Sequence, residues 1–570
     1  MRKLLLLFAA LAALNSLAVA QDAPKLTAPN LDTISVDDLK GDVYFLASDE
    51  MRGRETIQPE SDIASAYIAN RFRKAGLKPA GEDGGWYQNV QFAYTEMLEK
   101  PSLKVFHNGA DKPSLELKYG EDFASFGGGA ASLAKAPLVF AGYAITDKSK
   151  NWDDFADLDA KGKIALILRY EPSSWRSARG WSRNAFLETK MAQLRKAGVL
   201  GAIMVTGPAS TNGLDNWSSA KGPTPEELSP PLTLADDPQE QDGAELPFYM
   251  ASVSAIDRLL GGEGKLKELQ EALDKGERKL DFAGRSMSME AKTKRVVKTG
   301  RNVCARIEGQ MDEWVVLGGH YDHIGLGYFG AQDARTAMGK IHNGADDNAS
   351  GTSAIMEIAE AFAKAGKPKR SFLFIAFTGE EKGLLGSEWY GRHPLVPHEK
   401  MLAMINIDMI GRVKNARLEM YGTNSSAALS RHVHAAEPFF PALKLKYNEG
   451  PIGPVSDMWS FYKHGVPVLF PFSGYNNEMH SAIDDPETIN YEALCDATRL
   501  VAEVAWRLSE TDEIPDYKGT AKEAKDAKGP DGRYRIPRKD EPEPPKKEVP
   551  KKDPPKKDGK DEEQEEKFSR

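Results

Sequence analysis

Seven side chains in the second half of the chain are of types that hold metals or move protons. They are His320, Asp322, Asp347, Glu380, Glu381, Asp408 and His480. Several stand just past an apolar run: Trp314-Val-Val-Leu-Gly-Gly-His320, SFLFIAFTGE ending at Glu380, and LAMINID ending at Asp408. His480 follows the last such run, Val466 to Phe472, across a short loop, and Asp347 lies where a helical pattern opens. Two histidines with three or four carboxylates, and no cysteine within reach, suit zinc or a similar first-row ion. A mixed nitrogen and oxygen set of five fits a pair of ions sharing one carboxylate. Two ions about 3.5–4 Å apart hold a bridging water, lower its pKa and polarise a carbonyl oxygen. Neighbouring side chains in extended backbone point different ways. One of Glu380 and Glu381 can therefore bind metal while the other faces the water as general base. Asp322, two residues after His320, returns to the same face and is placed to orient it.

These residues need a scaffold that brings them to one edge. Continuous apolar runs of this length read as buried strands of a mostly parallel sheet. Helical patterns lie between them, at 349–363 and 491–508. Alternating strands and helices predict an α/β fold, with helices on both faces of the sheet. Ligands in such sheets bind beyond the carboxyl ends of the strands, where the polar residues fall.

The chain has 570 residues, 41% of them apolar, with 75 Lys+Arg against 84 Asp+Glu and a net charge of −9. That balance excludes a basic nucleic-acid footprint. Two cysteines exclude a disulfide framework and a Cys-based zinc array. Cys304, in a strand, and Cys495, in a helix, read as buried thiols. Residues 1–20 pair a basic start with an apolar stretch and end Ala18-Val19-Ala20. This is a secretory signal with cleavage expected after Ala20, placing the mature protein in the periplasm or outside the cell. The stretch is too short to span a bilayer, and no internal run is long enough to do so. Residues 516–570, dense in Lys, Glu, Asp and Pro, predict a disordered charged tail. His393, His398, His432 and His434 read as surface or loop residues.

GGHYDHIG (318–325), NGADDNASGTSA (343–354), TGEEKGLLGS (378–387), NIDMIGR (406–412) and MHSAIDD (479–485) together resemble the motif series of the secreted di-zinc aminopeptidases. That family also contains glutamate carboxypeptidase and the transferrin receptor ectodomain. LASDEMRGRET (46–56) and YIANRFRKAGLKPAG (67–81) resemble its leading helices. The resemblance implies a zinc-exopeptidase fold of the phosphorylase/hydrolase-like kind. It implies two Zn2+ per chain on His320, Asp347, Glu381, Asp408 and His480, with Asp347 bridging. Glu380 is then the general base and Asp322 the residue orienting His320. PVSDMWSF (454–461) departs from the pattern, since relatives often carry a polar residue after the Asp.

The middle of the chain resembles a protease-associated domain, through VFAGYAI, DFADLDAKGKIALILR and KMAQLRKAGVLGAIMV. The expected organisation is a signal peptide at 1–20 and peptidase segments at 21–124 and 291–515. A smaller β-rich α/β insert occupies 125–290, and the tail 516–570. The expected activity is release of N-terminal amino acids from peptides with a free N-terminus by metal-activated water. Carboxypeptidase or glutaminyl cyclase activity occurs on similar scaffolds. A non-catalytic receptor-like binder would be expected to have lost ligands, and none of the five is lost.

Overall fold

The computed structural model describes residues 26–125, 130–175, 182–185, 187–208, 232–236, 246–277, 282, 284–328 and 330–519. The expected signal at 1–20 and the tail beyond 519 lie outside the described residues. The chain is packed as far as Gly519. Tyr517 is buried and its hydroxyl donates to the Tyr462 carbonyl, and Asp516 accepts from the N–H of Ala427. The expected tail boundary at 516 therefore falls short, because an aromatic residue extends the packed segment.

The main sheet is built on β1 (Tyr87–Met97), β2 (Thr293–Ile307), β3 (Met311–His320), β4 (Arg370–Phe377), β5 (Met401–Asn406), β6 (Arg417–Tyr421), β7 (Lys444–Asn448) and β8 (Val468–Phe472). Their spatial order is β1-β2-β4-β3-β5-β8-β6-β7, with Thr233–Leu234 added outside β1 and Lys78–Pro79 against β2. The inner strands β4, β3, β5 and β8 pair in parallel. On the flanks, β1 with β2, β2 with β4, and β6 with β8 are antiparallel, while β6 with β7 is parallel. The sheet is thus mixed rather than strictly parallel. The four apolar runs read from the sequence pair in parallel, as expected, and the antiparallel pairs lie towards its flanks.

Successive residues of the inner strands enter opposite cores. Val315 and Leu317 of β3, and Phe372, Phe374 and Ala376 of β4, face one cluster. Val316, Leu373, Ile375 and Phe377 face the other. This explains runs with no polar alternation. The first core is closed by α1 (Val36–Leu46), α2 (Pro59–Ala75), α3 (Gly351–Ala363) and α5 (Tyr491–Glu510). The second is closed by α4 (Leu385–Arg392) and the short helix Met458–Tyr462. Each fully buried Leu, Ile or Phe contributes about 1.5–3 kcal/mol, so both faces strongly constrain the ends of β3, β4 and β5. Among the described residues no helix is long and apolar enough to cross a membrane.

A second sheet of eight strands lies within residues 102–291. It takes in Ser102–His107 and Leu115–Leu117, upstream of the expected start at 125. It encloses its own apolar clusters around Leu103, Ile164, Ile203, Tyr249 and Met287, and around Ala165, Ala202 and Phe248. Its segment leaves from the end of β1 and returns at the start of β2. Met97 and Thr293 are paired there, and Leu98 N–H donates to the Lys292 carbonyl at 2.8 Å.

Candidate metal centre

β3 ends on His320, and two glycines before it allow a close approach. A Cβ at Gly319 would stand 2.3 Å from the Ile407 carbonyl oxygen. The strand can therefore lie against the segment carrying Asp408. Glu380 and Glu381 follow β4 through a turn at Gly379, and Asp408 is two residues past β5. Asp347 sits in the irregular turn Ala345–Ser350 that opens α3, and the Asp347–Asn348 peptide is cis. His480 follows β8.

These elements bring Asp347 between two donor sets. One carboxylate oxygen lies 3.3 Å from His320 Nε2, which is also 3.3 Å from Asp408 Oδ1. The other oxygen lies 3.1 Å from His480 Nε2, which is 3.0 Å from Glu381 Oε2. Glu380 Oε2 stands further off, 4.0 Å from His320 Nε2. The two candidate groups, His320-Asp347-Asp408 and His323-Asp347-Glu381-His480, share Asp347, and the donor atoms within each lie within 4.8 Å of one another. His323 was not singled out from the sequence, where it reads only as one residue of GGHYDHIG. It is fully buried, with neither ring nitrogen hydrogen-bonded. Buried nitrogen and oxygen ligand atoms converging at this spacing are what a bound cation satisfies.

The supporting contacts differ in part from expectation. His320 Nδ1 donates to the main-chain carbonyl of Asp322 at 3.0 Å, while the Asp322 carboxylate is 3.8 Å away. That carboxylate instead accepts from the Thr56 hydroxyl at 2.7 Å and from Glu380 N–H at 3.2 Å. His480 Nδ1 donates to the Gly330 carbonyl at 3.0 Å. Ser456 donates to Asp408 Oδ2 at 2.7 Å.

Three residues that sequence reasoning missed knit the ligand segments together. Asn348 donates to the carbonyls of His320 (3.2 Å) and Ile407 (2.9 Å), and accepts from the N–H groups of Gly351 (2.9 Å) and Met409 (3.2 Å). Asp484 accepts from the N–H groups of Asp346 and Asp347, each at 3.1 Å at its shortest, and from Arg412 at 2.8 Å. Arg54 is fully buried and donates to the carbonyls of Tyr321, Leu46, Asn343 and Gly344. The signal was present in the quoted motifs, as an Asn after the Asp, an Asp in MHSAIDD and an Arg in MRGRET. Nothing in spacing alone separated them from loop polarity.

The electrostatics separate the carboxylates. Burial raises the pKa of Glu380 well above the ordinary range, with Glu381, Asp457 and Asp408 adding to it despite His320. Burial also opposes the charge of Glu381, but His480 and His323 outweigh it and hold its carboxyl at about 2. Asp347 is held well below the usual range by His320 and His480 against the effect of burial. Burial lifts the unused Asp346 to about 8 and Asp457 to about 7. Burial lowers Arg54 to about 10, leaving a fixed positive charge beneath the acidic cluster. Burial and like charge thus favour the neutral form of Glu380, while the neighbouring imidazoles favour the charged form of Glu381.

Among the discounted residues, His393 pairs with Asp236 at 2.8 Å and His434 lies 3.6 Å from Glu437, both exposed. His398 is stacked on His464 at 4.5 Å, where burial lowers its pKa to about 4. Cys304 and Cys495 are both buried and free.

Residues 302–505 match the sequence model of peptidase family M28. A probable zinc metalloprotease of Pyrenophora teres f. teres (strain 0-1) is 28% identical over 242 residues, 38% of this chain and 50% of its own length. A probable leucine aminopeptidase of Trichophyton verrucosum (strain HKI 0517) is 27% identical over 226 residues, 37% of this chain and 57% of its own length. The chain thus spans about half the length of these curated relatives. The solved structure of an aminopeptidase from Aneurinibacillus sp. strain AM-1 superposes with a TM-score of 0.54 at 19% identity, over 85% of this chain and 96% of that one. A zinc aminopeptidase from Bacillus subtilis gives 0.51 at 19% identity, over 86% and 99%. At that identity the likeness bears on the fold.

Proposed function

We propose that this chain, which carries a peptidase family M28 segment at residues 302–505, is an exported zinc-dependent aminopeptidase. One observation carries the reading: the two oxygens of Asp347 face two separate histidine–carboxylate sets, at 3.3 and 3.1 Å. The relatives named zinc metalloprotease and leucine aminopeptidase support it. Asp347 would be shared, with His320 and Asp408 holding one ion and Glu381 and His480 the other. When bound, two zinc ions would supply Lewis acidity and a water of lowered pKa.

The rest falls to the chain's own groups. Glu380 is partly buried beside the centre without belonging to either donor group. Its carboxylate takes the proton of the attacking water and returns it to the departing amine, and its raised pKa suits both transfers. Asp322 anchors the main chain of Glu380 and, through its carbonyl, fixes His320. Export rests on residues 1–20 alone.

The test is hydrolysis of amino-acid amides by the full chain, with metal analysis on the same sample before and after chelation. Activity lost on chelation and restored by zinc is expected. Cleavage of an N-acetylated peptide from its C-terminal end would overturn the aminopeptidase reading. Recovery of the precursor in the cytoplasm would overturn export.

A further inference from the structure

His323 is the one imidazole at the centre outside the five ligands proposed above. Its ring is fully buried, and neither nitrogen finds a hydrogen-bond partner. Nδ1 lies 2.7 Å from Glu381 Oε1, and neither atom has a partner of good hydrogen-bond geometry. Two buried lone-pair atoms at this distance repel unless a proton or a cation stands between them.

The ring is held there by several contacts. The main chain of His323 bridges to Glu55. Gly344, at φ +63°, leaves the space the ring fills: a Cβ at that position would stand 2.5 Å from His323 Cδ2. The ring packs edge-on against His480, with centroids 5.6 Å apart. The same glycine opens the turn that carries Asp347. One small residue therefore lets His323 and Asp347 reach the same point.

We infer that His323 is itself a metal ligand, completing a set of four with Asp347, Glu381 and His480. The inference rests on the metal-binding reading above. It makes the centre unequal, with four protein ligands on one side and three, His320, Asp347 and Asp408, on the other. A four-ligand tetrahedral site is closed and retentive, whereas a three-ligand site keeps an open position for water or substrate. The His323 side fills first and holds its ion longer, and the His320 side is where a substrate carbonyl has room.

The experiment uses the full chain, stripped by chelation and reloaded with cobalt(II). Proton NMR then counts the exchangeable, paramagnetically shifted imidazole N–H signals. Three are expected at two equivalents, from His320, His323 and His480, two of them already present at the first. His323→Ala should remove one signal and weaken binding of the first ion by about tenfold or more, read by competition with a chromophoric chelator. The wild-type count does not depend on the variant folding. Two bound ions with only two signals would overturn the inference and leave the proposed function standing. A wild-type chain that binds no cobalt or zinc would overturn both.

Discussion

The carboxylate of Asp322 accepts the main-chain N–H of Glu380 at 3.2 Å. Through it, the loop after β3 is tied to the turn after β4, so the segment with the first histidine and the segment with the base cannot shift independently. Asp322 orients His320 only through its carbonyl oxygen, which any residue would supply. Asp322→Asn should therefore retain both metals, measured by elemental analysis. Its kcat should fall by about 10- to 100-fold, because the turn holding Glu380 loses a charged anchor. Loss of one metal equivalent would show instead that the side chain supports the ligand.

Glu380 has a different signature. Replacing it by Gln keeps the volume and removes the proton carrier. The expected result is a fall in kcat of about 10²–10⁴, with metal content and KM unchanged. A variant retaining both metals and full activity would remove Glu380 from the mechanism.

Acidity should act on the metal-free and loaded forms in opposite directions. Burial disfavours charge on His320 and His480. Glu380 and Asp408 around the first, and Glu381 and Asp347 around the second, outweigh it and hold both pKa values well above 6.5. Folded values above unfolded ones mean that the protonated imidazoles stabilise the metal-free fold. That contribution is complete below about 6.5 and is lost as pH rises through the folded values. Metal must displace the same protons, so its affinity falls on acidification. The difference in Tm between loaded and stripped protein should widen from mildly acid to mildly alkaline solution. A constant difference would contradict the assignment of these imidazoles as ligands.

Asn348 makes four hydrogen bonds in a fully buried position. Asn348→Ala strands two carbonyls and two N–H groups between β3, β5 and α3. The expected loss is about 3 kcal/mol, measured by denaturant unfolding of the metal-free protein, with a matching drop in metal affinity. A loss within about 0.5 kcal/mol would place the connection between these segments elsewhere.

The runs before His320, Glu380 and Asp408 were legible because burial on both faces leaves no polar alternation, and the polar residue marks where the strand leaves the core. The parallel pairing of these runs was legible, but that of the flanks was not: β2, with its exposed Val297 and scattered basic residues, pairs antiparallel to β4 while looking like any long strand. His323 was hidden by its neighbours, since a histidine one residue after Asp322 should point away in an extended chain. The loop turns instead, and Gly344 makes room. The anchoring of Glu380 by Asp322 depends on main-chain direction, which side-chain types do not encode. Arg54 sits 266 positions before His320, and only the folded chain reveals its four carbonyl partners.

The pairing of Met97 with Thr293 has a wider consequence. Apart from Thr233–Leu234, which pairs outside β1, the described residues between 98 and 292 are to the main sheet one long hairpin loop whose two ends stand a strand spacing apart. Closing such a loop costs little more as it lengthens, and its content leaves the β1–β2 register unchanged. The segment can be lengthened, replaced or reshaped while the strands that end at the metal centre keep their places. Selection can therefore act on what reaches the centre separately from what happens there.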